Sequence, residues 1–472
     1  MKRSLIAAAA MVVMLPACGG GGGNTRTVLV DYSSDRYANF SLFNFPRRIV
    51  VEPGMTVVFR QSWSGEPHTV TGGLGVKEPL AKVAPLLDIF VTYDAARAQG
   101  ADLPNVEGDE NLGMPFAEFA RKIKSIPNAE QRETIVSAWN EVRRQGLKVP
   151  DLDNPGPGTL GDVSKVIDEY ANKAFESVPF AFGEGEGDPL QQNYAQPCFL
   201  KQGMPGKDPK KPCSKSQQVQ PAFDGTQSFY SSGIIRYQGA QGNTFRVPLS
   251  KNIKPGTYTF YCAVHGPQQK TDIVVREKGA QSQEEITRES RKEIDEVVGP
   301  LDDVWSDAKD GNITLEQGTE KITLAAPFVG LFSPKAEHAA INEFVPKTLN
   351  VKANAPIAWK MMGADHTVSF GVPPYFPPVE FLEDGTVRLN PKLEPAAGGA
   401  RPVPKREGGD GPPSAAQQKV DGGTYDGTGF WSSGLIGAQP YLEYTMRISK
   451  PGTYRVACLI HPAMVGNVVV TP

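Results

Sequence analysis

Histidine and cysteine are scarce in this chain, which has only five residues of each among its 472. Long apolar runs are missing too: after the N-terminal segment, no stretch approaches the roughly 20 residues that a membrane-spanning helix needs. Basic residues are not in excess, since the formal net charge is −3. Removal of a basic leader peptide makes this charge about −5, which argues against nucleic acid as a partner.

Glycine and proline, in contrast, are abundant, with 49 and 41 residues respectively. Both residue types form turns, so their number favours a chain of many short strands. A hydrophobic content of 39% is sufficient for packed cores, and the length predicts two or three domains. The composition therefore indicates a mainly β protein.

The N-terminal segment, MKRSLIAAAAMVVMLPAC, has the form of a signal peptide over residues 1–17. Two basic residues precede an apolar run from 5 to 15, which is too short to span a bilayer permanently. The stretch LPAC, which ends at Cys18, resembles the bacterial lipobox, in which the cysteine is lipidated and becomes the mature N-terminus. Ordinary signal cleavage that leaves a free Cys18 is the alternative.

A glycine-rich tether over residues 18–26 follows this segment. We therefore expect an extracytoplasmic protein, at the periplasm or the cell surface, that is attached to the bacterial cell membrane by its lipid anchor only. Such an oxidising compartment favours disulfides. If Cys18 carries lipid and two other cysteines belong to the repeated loops described below, Cys198 and Cys213 remain, and we expect them to form a disulfide. Two free thiols are the alternative.

An internal repeat organises the rest of the chain, because four blocks recur in the same order. The first copy contains FPRRIVVEPGMTVVF (45–59), PHTV (67–70), FDGTQSFYSSGII (223–235) and KPGTYTFYCAVH (254–265). The second copy contains VPKTLNVKANAPIAW (345–359), DHTV (365–368), YDGTGFWSSGLI (425–436) and KPGTYRVACLIH (450–461). Alternating apolar residues bounded by Pro-Gly turns are typical of strands. Each copy is therefore predicted to be a small β-sandwich.

The segments between the blocks predict the domain organisation. The first sandwich occupies residues 27–277 and contains an insertion over about 75–221, in which apolar residues at three- and four-residue intervals predict helices. A charged helical linker over 278–311 leads to the second sandwich at 312–472. No chemistry is evident in the helical insertion, which we interpret as a structural or partner-docking cap.

The residues that carry chemistry lie where the two copies agree, because four of the five histidines occupy matched positions. Each copy offers one histidine near an early strand end and a Cys-x-x-His pair on a late loop. A thiolate and two imidazoles with a weak axial Met or Gln form the ligand set of blue-copper sites. The second copy supplies this set as His366, Cys458, His461 and Met464. The first copy supplies His68, Cys262 and His265, with Gln268 as its axial candidate.

The axial position of the first copy stays open between two neighbours. The spacing of the motif points to Gln268, whereas alignment of Ile273 with Val468 in the following strands favours Gln269. A degenerate first site, kept only as a scaffold, is the alternative to copper binding there. The fifth histidine, His338, lies outside the repeat and is expected to have no special role.

Together these motifs resemble those of the cupredoxins, and the chain is similar to a tandem of plastocyanin-, halocyanin- or azurin-like domains. The resemblance rests on the Cys-x-x-His-x-x-Met signature followed by GNVVV and preceded by PGTY and SSGLI. It covers the two repeat copies and leaves the helical insertion and the linker outside. The resemblance implies a Greek-key β-sandwich with a type 1 copper near one end of each copy, and one-electron transfer as the activity.

One position departs from the family pattern. Cupredoxins often carry asparagine directly after the first histidine ligand, where its amide ties the ligand loops together. Here Thr69 and Thr367 occupy that position. A threonine hydroxyl can form a similar bond.

The histidine count also argues against an enzyme. Multicopper oxidases and copper nitrite reductases need additional imidazoles for their catalytic coppers, often paired as His-x-His, and no such pair exists in this sequence. We therefore expect an electron carrier that works between redox protein partners at the membrane surface. A copper-binding or storage protein, or an interaction module, whose sites do not cycle is the alternative.

The lipobox resemblance generates a direct test. Because an acyl anchor transfers a protein from water to a detergent phase, the wild-type chain expressed in a bacterium should partition into the detergent phase. The Cys18→Ser variant should stay in the aqueous phase. Equal partitioning of the two proteins would show that Cys18 is not lipidated.

Overall fold

The computed structural model describes most of the chain. The described residues are 23–61, 68–98, 101–104, 111–176, 220–235, 243–317, 320–333, 336, 339–362, 366–372, 379–381, 387–390, 419–434, 436, 442–461 and 463–472. The expected signal peptide, the lipidation site Cys18, the Cys198 and Cys213 pair, and His338 lie outside these residues.

Two sheets are formed by the described residues from Thr25 to Val275, which are called the first part of the chain below. Its strands are β1 (Thr25–Val30), β2 (Asn39–Ser41), β3 (Asn44–Phe45), β4 (Arg48–Val51), β5 (Thr56–Gln61), β6 (Thr71–Gly72), β7 (Tyr230–Ser231), β8 (Asn243–Pro248), β9 (Gly256–Cys262) and β10 (Gly266–Val275). One sheet has the order β3-β1-β5-β8, and the other has the order β4-β10-β9-β6-β7. Strand β2 belongs to neither of them.

Two larger sheets and two hairpin-like pairs follow. Their strands are β11 (Asn312–Gln317), β12 (Glu320–Ala325), β13 (Phe328–Phe332), β14 (Ala339–Val345), β15 (Thr348–Lys352), β16 (Ile357–Met361), β17 (Ser369–Phe370), β18 (Val379–Phe381), β19 (Val387–Leu389), β20 (Lys419–Tyr425), β21 (Trp431–Ser432), β22 (Leu442–Ile448), β23 (Gly452–Ala457) and β24 (Val465–Thr471). The sheet orders are β2-β14-β13-β16-β22-β20 and β15-β24-β23-β17-β21. The pairs are β11-β12 and β18-β19.

The sequence repeat reappears as a repeat of strand pairing. Strand β1 runs parallel to β5 as β13 runs parallel to β16, and β4 runs parallel to β10 as β15 runs parallel to β24. Each copy therefore presents two sheets that enclose an apolar core between them. Phe59 and Phe260 lie in the first core, and Trp359 and Tyr444 lie in the second. The described residues are mainly β, as the composition indicates.

Helices occupy the expected insertion. They are α1 (Leu74–Ala98), α2 (Phe116–Lys124), α3 (Ala129–Arg144) and α4 (Leu160–Glu176). Their apolar faces pack around the fully buried side chains of Phe116 and Trp139. The same core includes Tyr261 and Ala263, the two neighbours of Cys262, so the helical insertion packs directly against the strand end that carries this cysteine.

The segment expected to be a linker forms one long helix, α5 (Gln283–Lys309). It begins at a capping box, in which the Ser282 hydroxyl accepts from the Glu285 amide and the Glu285 carboxylate accepts from the Ser282 amide. Its buried face packs with Phe45 of the first part and Phe328 of the second. Strand β2 of the first part also pairs with β14 of the second part, which runs from Asn312 to Thr471. The helix and this strand therefore both contact the two parts of the chain.

Among the described residues, no helix combines the length and the apolar character that a membrane crossing requires.

Candidate metal centre

The first group of candidate ligands is His68, Cys262 and His265, with one ligand atom of each lying within 4.8 Å of the others. The Cys262 sulfur lies 3.9 Å from Nδ1 of His68 and 3.6 Å from Nδ1 of His265. The two Nδ1 atoms are 3.1 Å apart. His68 and Cys262 are fully buried, and His265 is partly buried. Two imidazoles thus turn the same ring nitrogen toward one thiol.

The second group repeats this arrangement with His366, Cys458 and His461, all of which are buried. The Cys458 sulfur lies 4.0 Å from Nδ1 of His366 and 3.5 Å from Nδ1 of His461. Their Nδ1 atoms are again 3.1 Å apart. The structure therefore brings together six of the eight residues that the sequence nominates as metal ligands into two matching groups.

The recurring SSG block explains how the early histidine reaches the late loop. In the first copy, His68 forms an isolated β-bridge with Ile235, and the Val70 amide donates to the Ser232 hydroxyl. In the second copy, His366 pairs with Ile436, and the Val368 amide donates to the Ser433 hydroxyl. The glycine after each serine pair has a positive φ, which permits the tight turn that this pairing requires.

The threonine that follows the first histidine ties the ligand loops together in both copies. The Thr69 hydroxyl accepts from the Ala263 amide at 2.7 Å, and the Thr367 hydroxyl accepts from the Leu459 amide at 2.8 Å. The Thr69 amide donates to the Cys262 sulfur at 3.3 Å, and the Thr367 amide donates to the Cys458 sulfur at 3.4 Å. Each cysteine is therefore fixed by the residue that follows the first histidine.

The fourth position differs between the groups. In the first group, Gln269 places its Oε1 atom 3.1 Å from Nδ1 of His68 and 3.0 Å from Nδ1 of His265, and the residue is fully buried. Gln268 points elsewhere, because its amide nitrogen donates to the His265 carbonyl. Of the two axial candidates, Gln269 is thus the one that lies beside both imidazoles, because a bulge between Gly266 and Lys270 shifts the register of the strand.

Met464 occupies the corresponding end of the second loop. It is fully buried and belongs to the same apolar cluster as Cys458. The Cys458 amide donates to the Met464 carbonyl at 3.0 Å, and the Met464 amide donates to the His461 carbonyl at 2.8 Å. These two bonds close the loop that carries Cys458 and His461.

A second asymmetry lies behind the first histidine of each group. In the first group, the fully buried Asp31 places Oδ2 at 3.3 Å from Nε2 of His68. The strand register identifies Gly330 as the equivalent residue in the second copy. Asp31 directly follows Val30, which pairs with Gln61. Gly330 likewise follows Val329, which pairs with Met361. Both have a left-handed φ, of 63° and 69° respectively. Nε2 of His68 therefore faces a carboxylate, whereas Nε2 of His366 faces Gly330.

These contacts set the charge of the groups. Burial opposes ionisation of the Cys262 thiol, but the neighbouring His265 and His68 outweigh it and hold its pKa well below the usual range. The same balance, with His461 and His366, lowers the pKa of Cys458. Burial alone would lower the pKa of His68, but its hydrogen bond with Asp31 and its contact with Cys262 raise that pKa to about 9. Both groups thus favour a thiolate beside imidazole nitrogens.

This donor set fits copper. A thiolate and two imidazole nitrogens converge in each group, which suits a soft to borderline metal, whereas Mg²⁺ and Ca²⁺ prefer oxygen ligands. The amide oxygen of Gln269 faces both imidazoles of the first group, while its amide nitrogen is buried without a hydrogen-bond partner among the described residues. In each group, the cysteine sulfur and the two imidazole nitrogens, which lie within 4.8 Å of one another, would hold a bound cation.

Comparisons with known proteins add little. No family model matches the chain, and no curated protein matches it. Solved structures that it resembles include a mutant of amicyanin in its Cu(I) form, with 17% identity, a TM-score of 0.15, and coverage of 27% of this chain and 73% of that chain. An oxidized amicyanin mutant gives 15% identity, a TM-score of 0.14 and the same coverage.

The sequence reasoning missed Asp31 and Phe40. Asp31 precedes the first recurring block, so the comparison of the blocks did not reach it. Ungapped extension of the block alignment would pair Asp31 with Leu331, so the equivalence of Asp31 and Gly330 emerges only from the strand register. Phe40 stacks on His461 with ring centroids 6.2 Å apart and planes 2° from parallel. No signal in the sequence indicates that contact, because it joins distant parts of the chain.

Gly330 provides a test of the second group. A Cβ atom at this position would collide with Nε2 of His366 and with the Met362 carbonyl, so Gly330→Ala should displace His366 and reduce bound copper from two ions per chain to one. Gly429→Ala is the matched control, since Gly429 has a φ of 70° and open space around it. That control should cost about 1 kcal/mol of backbone strain and keep both ions, as measured by copper titration. Retention of both ions in Gly330→Ala would contradict the geometry of this group.

Proposed function

We propose that this chain is a tandem cupredoxin: an extracytoplasmic, lipid-anchored copper protein that carries single electrons between redox proteins at the membrane surface. Two Greek-key sandwiches, each with one type 1 copper, constitute the proposed layout. The observation that carries the proposal is the duplicated, buried convergence of two imidazole Nδ1 atoms on one cysteine sulfur. Copper bound there supplies a reversible one-electron change between Cu(I) and Cu(II).

The rigidity of the groups supports electron transfer over storage. A site that changes its charge quickly must keep the same geometry in both states, so its ligands must be held by the protein. Here the hydroxyls of Thr69 and Thr367 hold the ligand loops. In the neighbouring strands, hydroxyl–hydroxyl hydrogen bonds join Thr71 to Ser231 and Ser369 to Ser432. Burial of Cys262 and Cys458 keeps water from the thiolates. A storage site gains nothing from such fixed positions.

The proposal does not include catalysis. The described residues contain two groups of three or more His, Cys, Asp or Glu side chains that are close enough to hold a metal ion, and both serve the proposed type 1 sites. We therefore propose a carrier with protein partners and without a substrate site of its own.

A second candidate function has one observation in its favour. The first group combines the amide oxygen of Gln269 with the carboxylate of Asp31 behind His68. Hard oxygen ligands and a more basic imidazole both stabilise Cu(II). A first group that holds copper without cycling, beside a second group that cycles, is therefore the alternative.

Visible absorption tests the proposed copper type. Charge transfer from a cysteine thiolate to Cu(II) colours type 1 sites intensely, so the copper-loaded chain should be blue or green with two coppers per chain. Cys458→Ser should remove the band of the second group and leave that of Cys262, and Cys262→Ser should do the reverse. Unchanged circular dichroism controls for folding. A colourless copper-loaded wild type would contradict electron transfer at these cysteines.

The axial difference predicts an order of potentials. Because the thioether of Met464 favours Cu(I) and the amide oxygen of Gln269 favours Cu(II), the first group should have the lower potential. Redox titration of Cys458→Ser isolates the first group, and titration of Cys262→Ser isolates the second. Adding Gln269→Met to Cys458→Ser should raise the potential of the first group. Gln268→Met is the matched control and should leave it unchanged, because Gln268 points to the backbone. A first group that is already the higher one would refute this order.

A further inference from the structure

A phenylalanine from the first part of the chain lies on a candidate ligand of the second group. Phe40 is nearly buried, and its ring faces His461 with planes 2° from parallel. Its strand, β2, pairs with β14 of the six-stranded sheet through Phe40 opposite Ala340 and Ser41 opposite Ala339. The ring therefore has a fixed place beside His461, although it belongs to a segment that precedes the first group in the chain.

The next residue along the chain reaches the first group. The Ser41 amide donates to Oδ1 of Asp31 at 2.6 Å, and Oδ2 of the same carboxylate lies 3.3 Å from Nε2 of His68. Ser41, Asp31 and His68 are all fully buried. One carboxylate, one peptide unit and one aromatic ring thus join His68 to His461 without crossing solvent.

Further bonds hold this segment in place. The Asn39 side chain accepts from the Ser34 amide and donates to the Tyr32 carbonyl. The Ala38 amide donates to Glu343 at 3.0 Å, and the Ala38 carbonyl accepts from the Asn342 amide at 2.7 Å. The connection therefore belongs to the packed interior where the two parts of the chain meet.

We infer that Asp31, Ser41 and Phe40 form an internal relay through which an electron passes between the two metal groups. This inference rests on the proposed function, because it requires both groups to hold copper that cycles. One electron would leave a metal held by the first group and enter a metal held by the second. The first metal would be oxidised by one electron, and the second would be reduced by one electron. No bond is made or broken, and no proton moves. The direction follows from Gln269 and Asp31, which favour the oxidised state of the first group.

The relay predicts that the transfer rate depends on the Phe40 ring. After a reducing pulse, copper-loaded wild type should show a re-equilibration between the two absorption bands whose rate is independent of protein concentration. Phe40→Leu should slow this phase by about tenfold or more. Phe40→Tyr, which keeps the ring, should retain the wild-type rate. Phe43→Leu is the matched control in the same segment and should also retain it.

A measurement on metal-free protein tests the placement of the residues independently. An aromatic ring parallel to an imidazole shifts the proton resonances of that imidazole, so Phe40→Leu should move the His461 ring signals and leave those of His366 nearly unchanged. Asp31→Asn should change the imidazole nitrogen resonances of the first group, those of His68 most, and leave those of His366 unchanged. Unmoved His461 signals in a folded Phe40→Leu variant would overturn the relay.

The outcomes separate the relay from the proposed function. If each group shows a reversible one-electron potential but Phe40→Leu transfers as fast as wild type, the relay is wrong and the carrier function stands. If neither group shows a reversible potential, the proposed function fails and the relay fails with it. Slowed transfer in Phe40→Leu, with potentials and folding unchanged, supports both.

Discussion

The structure depends on one constraint: a buried cysteine sulfur must lie within about 4 Å of two imidazole nitrogens. Two of the donors come from one late segment of the chain, and the third comes from an isolated β-bridge far away in the sequence. The SSG turn, the threonine after the first histidine and the closing bonds of the late loop each position one of these donors. The apolar sheets behind them make the positions rigid.

The two groups meet this constraint in different surroundings. Gln269 and Asp31 surround the first group with oxygen atoms, and Met464 and Gly330 take the equivalent places in the second. A duplicated site with unequal surroundings suits the proposed electron transfer in one direction. The segment that contains Asp31 and Phe40 gives this inequality a physical connection, because it contacts one histidine of each group.

Much of the candidate site could be predicted from the sequence, since the ligands sit in short blocks that recur with their spacing intact. The mainly β character and the helices of the insertion also follow from turn residues and from apolar periodicity. The choice between Gln268 and Gln269 depends on a strand bulge, which spacing alone does not reveal. The packing of α5 against both parts of the chain and the pairing of β2 with β14 depend on contacts between residues that are distant in the sequence. A single sequence carries no local pattern for such contacts.

X-ray absorption at the copper edge tests the central claim most directly, because it reports the atoms that bind the metal. For the fully loaded chain, the account predicts that every copper has one short sulfur ligand and two imidazole nitrogens. It also predicts that loss of both Cys262 and Cys458 removes the sulfur contribution. Copper coordinated only by nitrogen and oxygen, or two coppers sharing one site, would contradict the account.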